Sequence, residues 1–97
     1  MFKLTLENPA KALLDSHFEE NPKPDFLRLY VRPRRGCGGS ALAIKPDARG
    51  DRDLEIEDNG YRFVMSRHLL EQLGNWANIS ANDKGGFNIV AERAFNE

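Results

Sequence analysis

The stretch "LEIEDNGYRFVM", residues 54–65, decides the fold. Leu54 and Ile56 alternate with Glu55 and Glu57; beyond "DNG", Tyr61, Phe63 and Met65 alternate with Arg62 and Val64. A period of two sends successive side chains to opposite faces of a half-buried strand. Asn59-Gly60 between the two runs predicts a hairpin, because a type I′ turn needs two residues that accept positive φ. Downstream, Ser66 is placed to cap a short helix, "RHLLEQL", with Gly74 as its stop. "WANIS" and "GGFNIVAERAF" then supply the last strands, with Phe87, Ile89 and Ala91 on one face.

Upstream, "PDARGDRD" (46–53) reads as a polar, mobile loop and "ALAIK" (41–45) as a short strand. The small alanines of that strand suit close packing against a neighbouring layer. "FLRLYVR" (26–32) alternates Leu27, Leu29 and Val31 with Arg28, Tyr30 and Arg32, again a half-buried strand. Nearer the start, Asn8 is a good N-cap and Pro9 suits a first helical position, where its missing N–H goes unused. Ala10, Leu13, Leu14, His17 and Phe18 follow at the spacing of one helix face, and "NPKP" (21–24) ends the helix. "KLTL" (3–6) is a short strand leading into it. The expected fold is α+β, mainly β: a compact sandwich of short mixed strands with an N-terminal helix and a short second helix. Residues 1–97 are expected to form a single domain.

Composition narrows the function classes. Fourteen basic residues against fifteen acidic ones give a formal charge of −1, which argues against a general nucleic-acid binder. The single cysteine excludes an intrachain disulfide and suits a reducing cytoplasm, the expected location. No targeting segment is read at the start, and apolar runs of four residues or fewer fall far short of a membrane span.

The lone thiol lies in "RPRRGCGGSAL" (32–42), between Gly36 and Gly38-Gly39 and after Arg32, Arg34 and Arg35. Nearby positive charge and loop amides favour a thiolate, so Cys37 reads as a reactive donor. The competing reading is an inert, buried small hydrophobe. The glycines suffice to reverse the chain between two strands. "SALAIK" reads as strand, so no helix N-terminus faces the loop as a phosphate cradle requires. His17 reads as a core or boundary histidine, His68 as solvated, and Trp76 and Phe87 as core, an exposed Trp76 marking a partner contact instead. Asp47, Asp51, Asp53, Glu55, Glu57 and Asp58 read as a solvated rim. No catalytic triad, P-loop or carboxylate pair is present, so the chain is not expected to be an enzyme.

Four blocks in order resemble the A-type iron–sulfur carrier family, the HesB/IscA-like domains. They are an N-terminal "LT" leading into a helix, "LRLYVRPRRGCGGSALAI", "EIEDNGYRFVMSRHLLEQL" and "GGFNIV". The second resembles the family's strand, G-C-S-G loop and strand; the third, its hairpin and short helix; the last, its G-F-x-I strand. The chain departs from the family pattern in two places. Gly38 replaces the loop serine, and "GFNIVAERAFNE" holds no C-terminal C-G-C. The resemblance is to a degenerate member.

The resemblance implies a binding or carrier role in iron–sulfur cluster biogenesis, with Cys37 as the single retained cofactor- and metal-binding position. Clusters are held by roughly four thiolates, so one chain supplies too few. The implied cargo is a labile iron–sulfur cluster or iron shared between subunits, with other donors from outside; Glu92 and Glu97 are hard oxygens and poor substitutes. The implied partners are further copies of the chain and iron–sulfur assembly or recipient proteins, with no nucleic acid and no membrane. The alternative is a cluster-free interaction module that keeps the fold and binds a protein partner without cofactor.

Overall fold

The computed structural model of the chain describes residues 1–33 and 40–93, residue 40 by its backbone alone. Among these lie β1 (Lys3–Leu6), α1 (Asn8–Glu20), β2 (Phe26–Pro33), β3 (Ser40–Asp47), β4 (Leu54–Asp58), β5 (Tyr61–Met65), α2 (Arg67–Leu73), β6 (Trp76–Ala81) and β7 (Phe87–Ala91). They form a four-stranded sheet in the order β3-β2-β5-β4 and a three-stranded sheet in the order β1-β6-β7. Both sheets are mixed: β2 runs parallel to β5 and β1 to β6, and the other pairs are antiparallel. One core joins their inner faces, with Leu27, Leu29, Phe63 and Met65 from one sheet and Leu4, Leu6, Ala77 and Ile79 from the other. The α+β sandwich expected from the alternating runs is what the chain adopts.

The 54–65 hairpin forms in the expected register, Asp58 opposite Tyr61 and Leu54 opposite Met65. Asn59 (φ 53°) and Gly60 (φ 87°) both take the positive φ of the I′ turn. The turn also joins the two sheets. The Leu6 backbone N–H donates to Asp58 Oδ2 at 2.8 Å, and Asn59 Nδ2 donates to the Leu6 carbonyl and to Asn8 Oδ1, both at 2.9 Å. Asp58 thus belongs to a cross-sheet tie, not to a solvated rim.

α1 begins one residue earlier than the expected cap: Glu7 is the N-cap, with no side-chain cap bond, and Asn8 is already helical. The Asn8 side chain instead accepts from Asn59, a long-range partner that outcompetes local capping. Ala10 and Leu14 are buried, with Leu13 and Phe18 half-buried beside them. α2 follows expectation: Ser66 Oγ accepts from the Leu69 N–H at 3.1 Å, and Gly74 at φ 92° ends the helix.

The expectation of a mobile 46–53 loop does not hold. With strand order β3-β2-β5-β4, the chain leaving β3 must cross three strand spacings, about 14 Å, to begin β4. Arg28 on β2 catches it midway. Its Nε donates to Asp47 Oδ2 at 2.6 Å, Nη1 and Nη2 to the two Asp53 oxygens at 3.1 and 2.5 Å, and Nη2 also to the Ala48 carbonyl at 3.1 Å. Asp53 Oδ2 further accepts from the Gly50 N–H at 2.6 Å. Val64, beside Arg28 in the β2–β5 register, is fully buried although it faces away from the main core. Asp47 and Asp53 are therefore structural acids, and the expected rim loses them too.

Candidate functional site

Cys37 lies outside the described residues, as do Arg34, Arg35, Gly36, Gly38 and Gly39. Pro33 and Ser40 are direct register partners, so residues 34–39 join the two strands at one end of the β2–β3 ladder. The alternation along both strands sets which side chains flank that end. Leu27, Leu29 and Val31 pair with Pro46, Ile44 and Leu42 on the core face; Arg28, Tyr30 and Arg32 pair with Lys45, Ala43 and Ala41 on the outer face. The alanines thus lie away from the core, contrary to a role in packing the two layers. Lys45 Nζ sits 4.7 Å from the Tyr30 ring centroid, a cation–π contact on that outer face.

Beside the same end runs an open groove of about 320 Å³, lined by Arg32, Leu42, Ile44, Asn82, Phe87 and Ile89 among others. It follows the seam where β3 of one sheet passes β7 of the other, two strands far apart in the sequence.

The remaining candidates separate. His17 is exposed, its ring edge-on to Phe18 at 4.8 Å between centroids, so the expected core or boundary position fails: the helix face turns outward there. His68 is exposed, as expected. Trp76 is 43% exposed on the outer face of the three-stranded sheet, beside Lys3 in register and near Val90, itself 55% exposed. The core reading of Trp76 is wrong, and that of Phe87 holds in part, since it packs half-buried against the core. Glu92 is engaged in structure, its Oε1 accepting from the Asn75 N–H at 2.6 Å. Glu97 lies outside the described residues.

The charged groups with shifted titration belong to structural ties. Arg28 beside Asp53 and Asp47 holds both carboxyls below the usual carboxylate range, and its own guanidinium is pushed upward by the Asp53 bond first of all. Tyr61 donates to Asp15 Oδ1 at 2.7 Å, and burial together with that carboxylate pushes its hydroxyl up to about 12. Asp15 is lowered, first by its bond from Lys11 and then by Tyr61.

Neither a family model nor a curated protein matches the sequence. Solved structures do match. A crystal structure of IscA with the [2Fe-2S] cluster superposes with a TM-score of 0.69, at 17% identity over 92% of this chain and 85% of that one. The crystal structure of Escherichia coli SufA, involved in biosynthesis of iron–sulfur clusters, gives a TM-score of 0.73, at 20% identity over 98% of this chain and 85% of that one. The fold is that of the A-type iron–sulfur carriers. Within this fold Pro33 and Ser40 are the last register pair at one end of the β2–β3 ladder. No group of three or more His, Cys, Asp or Glu side chains is close enough to hold a metal ion among the described residues. The sequence contains one cysteine, Cys37, and so one thiol per chain. A sulfide-bridged iron cluster prefers such thiolates to carboxylate oxygens. The donor set of one chain therefore fits part of a cluster and not the whole of one. No helix among the described residues is long and apolar enough to cross a membrane.

Proposed function

We propose that this chain is a binding or carrier protein in iron–sulfur cluster biogenesis, with Cys37 as its contact to iron or cluster. The observation that carries the reading is the A-type carrier fold over nearly the full chain, with the one thiol in the loop joining β2 to β3. The cluster is cargo, not a resident group. It is shared between copies of the chain, each giving one thiolate, and completed by donors from outside such as a small thiol or a recipient protein's cysteines. A site so open to exchange suits release to a recipient more than storage. Its partners are further copies of the chain and proteins of cluster assembly or receipt, in a reducing cytoplasm. The role is that of a carrier, not a catalyst.

Anaerobic reconstitution with iron and sulfide tests it. The wild type gains visible charge-transfer absorbance and Cys37→Ser does not; a colourless product from both removes the cargo claim. A second reading, a cluster-free interaction module, has its own support in the solvent-facing Trp76 and Val90. It predicts that partners stay bound after Cys37→Ala, and loss of them on that single change counts against it.

A further inference from the structure

The two sheets have four edge strands, and they are not equally protected. β1 is four residues long, and its Leu6 N–H is already taken by Asp58. β4 and β7 are five residues each, and β4 carries exposed Glu55 and Glu57. β3, at eight residues, is the longest. Its guards are at the far end, where Lys45, Pro46 and Asp47 deter pairing by charge and by a missing N–H. From Ser40 to Ile44 it carries no charge and no proline, and among the described residues no backbone hydrogen bond reaches its outer edge. Ala41 and Ala43 add nothing long enough to shield that edge. Arg32, whose register partner is Ala41, is exposed and borders the groove at the same end of the ladder, with only that small side chain between it and the edge. Among the described residues Arg32 forms no salt bridge.

We propose that the outer edge of β3 over Ser40–Ile44 is the docking site for an extended segment of a partner protein bearing a carboxylate side chain opposite Ala41. Main-chain pairing with β3 supplies affinity, as in other strand additions. Apolar side chains at alternate positions of the segment enter the groove over Leu42, Ile44, Phe87 and Ile89. The carboxylate opposite Ala41 meets Arg32 at the rim of the groove, which sets register and direction. The segment then runs along β3 toward its Ser40 end, the end that leads to Cys37 in the sequence, and in the carrier reading the segment belongs to a cluster donor or recipient. The strand-edge argument itself does not depend on that reading.

The probe is a fluorescein-labelled synthetic peptide of about seven residues, Val and Thr alternating with one Glu, titrated into the metal-free full chain at low salt. Anisotropy is expected to saturate, with amide NMR shifts along Ala41–Ile44. Arg32→Gln in the protein, or Gln for Glu in the peptide, weakens binding about tenfold, and N-methylation of alternate peptide amides abolishes it. Arg32 is exposed, so the variant's amide spectrum otherwise matches the wild type. No saturation, equal affinity for the N-methylated peptide, or shifts centred on Trp76 overturns the proposal. Peptide binding with a colourless reconstitution retains this docking site and removes the cargo claim; the converse pair of results does the opposite.

Discussion

Arg28 shows how one side chain can decide a loop. Its guanidinium, mostly out of water at 19% side-chain exposure, is bound by two carboxylates and a carbonyl. Arg28→Ala strands the Asp53 carboxylate, itself 10% exposed, and is expected to cost about 2 kcal/mol in urea unfolding. Proteolysis within residues 48–53 should quicken in the same variant. The carboxyls of Asp47 and Asp53 are lowered from an ordinary 3.8, so the folded state releases their protons more readily than the unfolded one. Their contribution is complete above that value and is lost as pH falls below it. Tyr61 has the opposite sign. Raised from 10.0 to about 12, its hydroxyl stabilises the fold fully below pH 10, and that share is lost between pH 10 and 12. Tyr61→Phe should flatten the stability profile across that alkaline window, which pH-dependent thermal unfolding measures directly.

At the scale of elements, the ends of α2 offer a graded comparison. Ser66→Ala removes one side-chain cap and is expected to cost about 1 kcal/mol. Gly74→Ala costs more, about 2 kcal/mol, because a Cβ there would lie 2.6 Å from Glu92 Oε1 at a backbone φ of 92°. Denaturant midpoints of the two variants, read against a common slope, check that order. α1 carries the contrasting lesson. Its N-terminus has Glu7 as a cap without a side-chain bond, and the residue best suited to capping, Asn8, is held by Asn59 from the hairpin. Local propensity yields where a tertiary partner is within reach.

Across the whole molecule, β5 holds the sandwich together, paired on one side with β2 and on the other with β4. Phe63 at its centre has no exposed surface, and Phe63→Ala should cost about 4 kcal/mol of unfolding free energy, enough to unfold much of a small domain. Truncating Leu42, half-buried at the β3–β7 seam, should cost markedly less, so thermal midpoints of the two variants separate core from groove. The seam itself was not legible in the chain. Nothing local to "ALAIK" or "GGFNIV" states that their strands pass each other, because that follows from sheet order and from closure of the two layers. The same holds for Trp76: alternation places it opposite Ala77, but which face meets the core is decided by where β1 and β7 lie.

What the amino-acid order alone determined was the set of short-range events. The Asn59-Gly60 turn, the Ser66 cap, the Gly74 stop, the Ala10 and Leu14 side of α1 and the alternation of each strand all rest on interactions spanning a few residues, so the residues that make them stand side by side in the chain. The lone thiol and its glycines were equally plain to read, because chemistry of that kind is written in residue type. Tertiary structure decided the rest: the parallel pairing of β2 with β5, the clamp from Arg28 to Asp53, the tie from the hairpin turn to β1, and the open edge of β3 beside its groove. Each joins side chains or strands that are distant in sequence, and their free energy exists only once the two sheets have closed on one core.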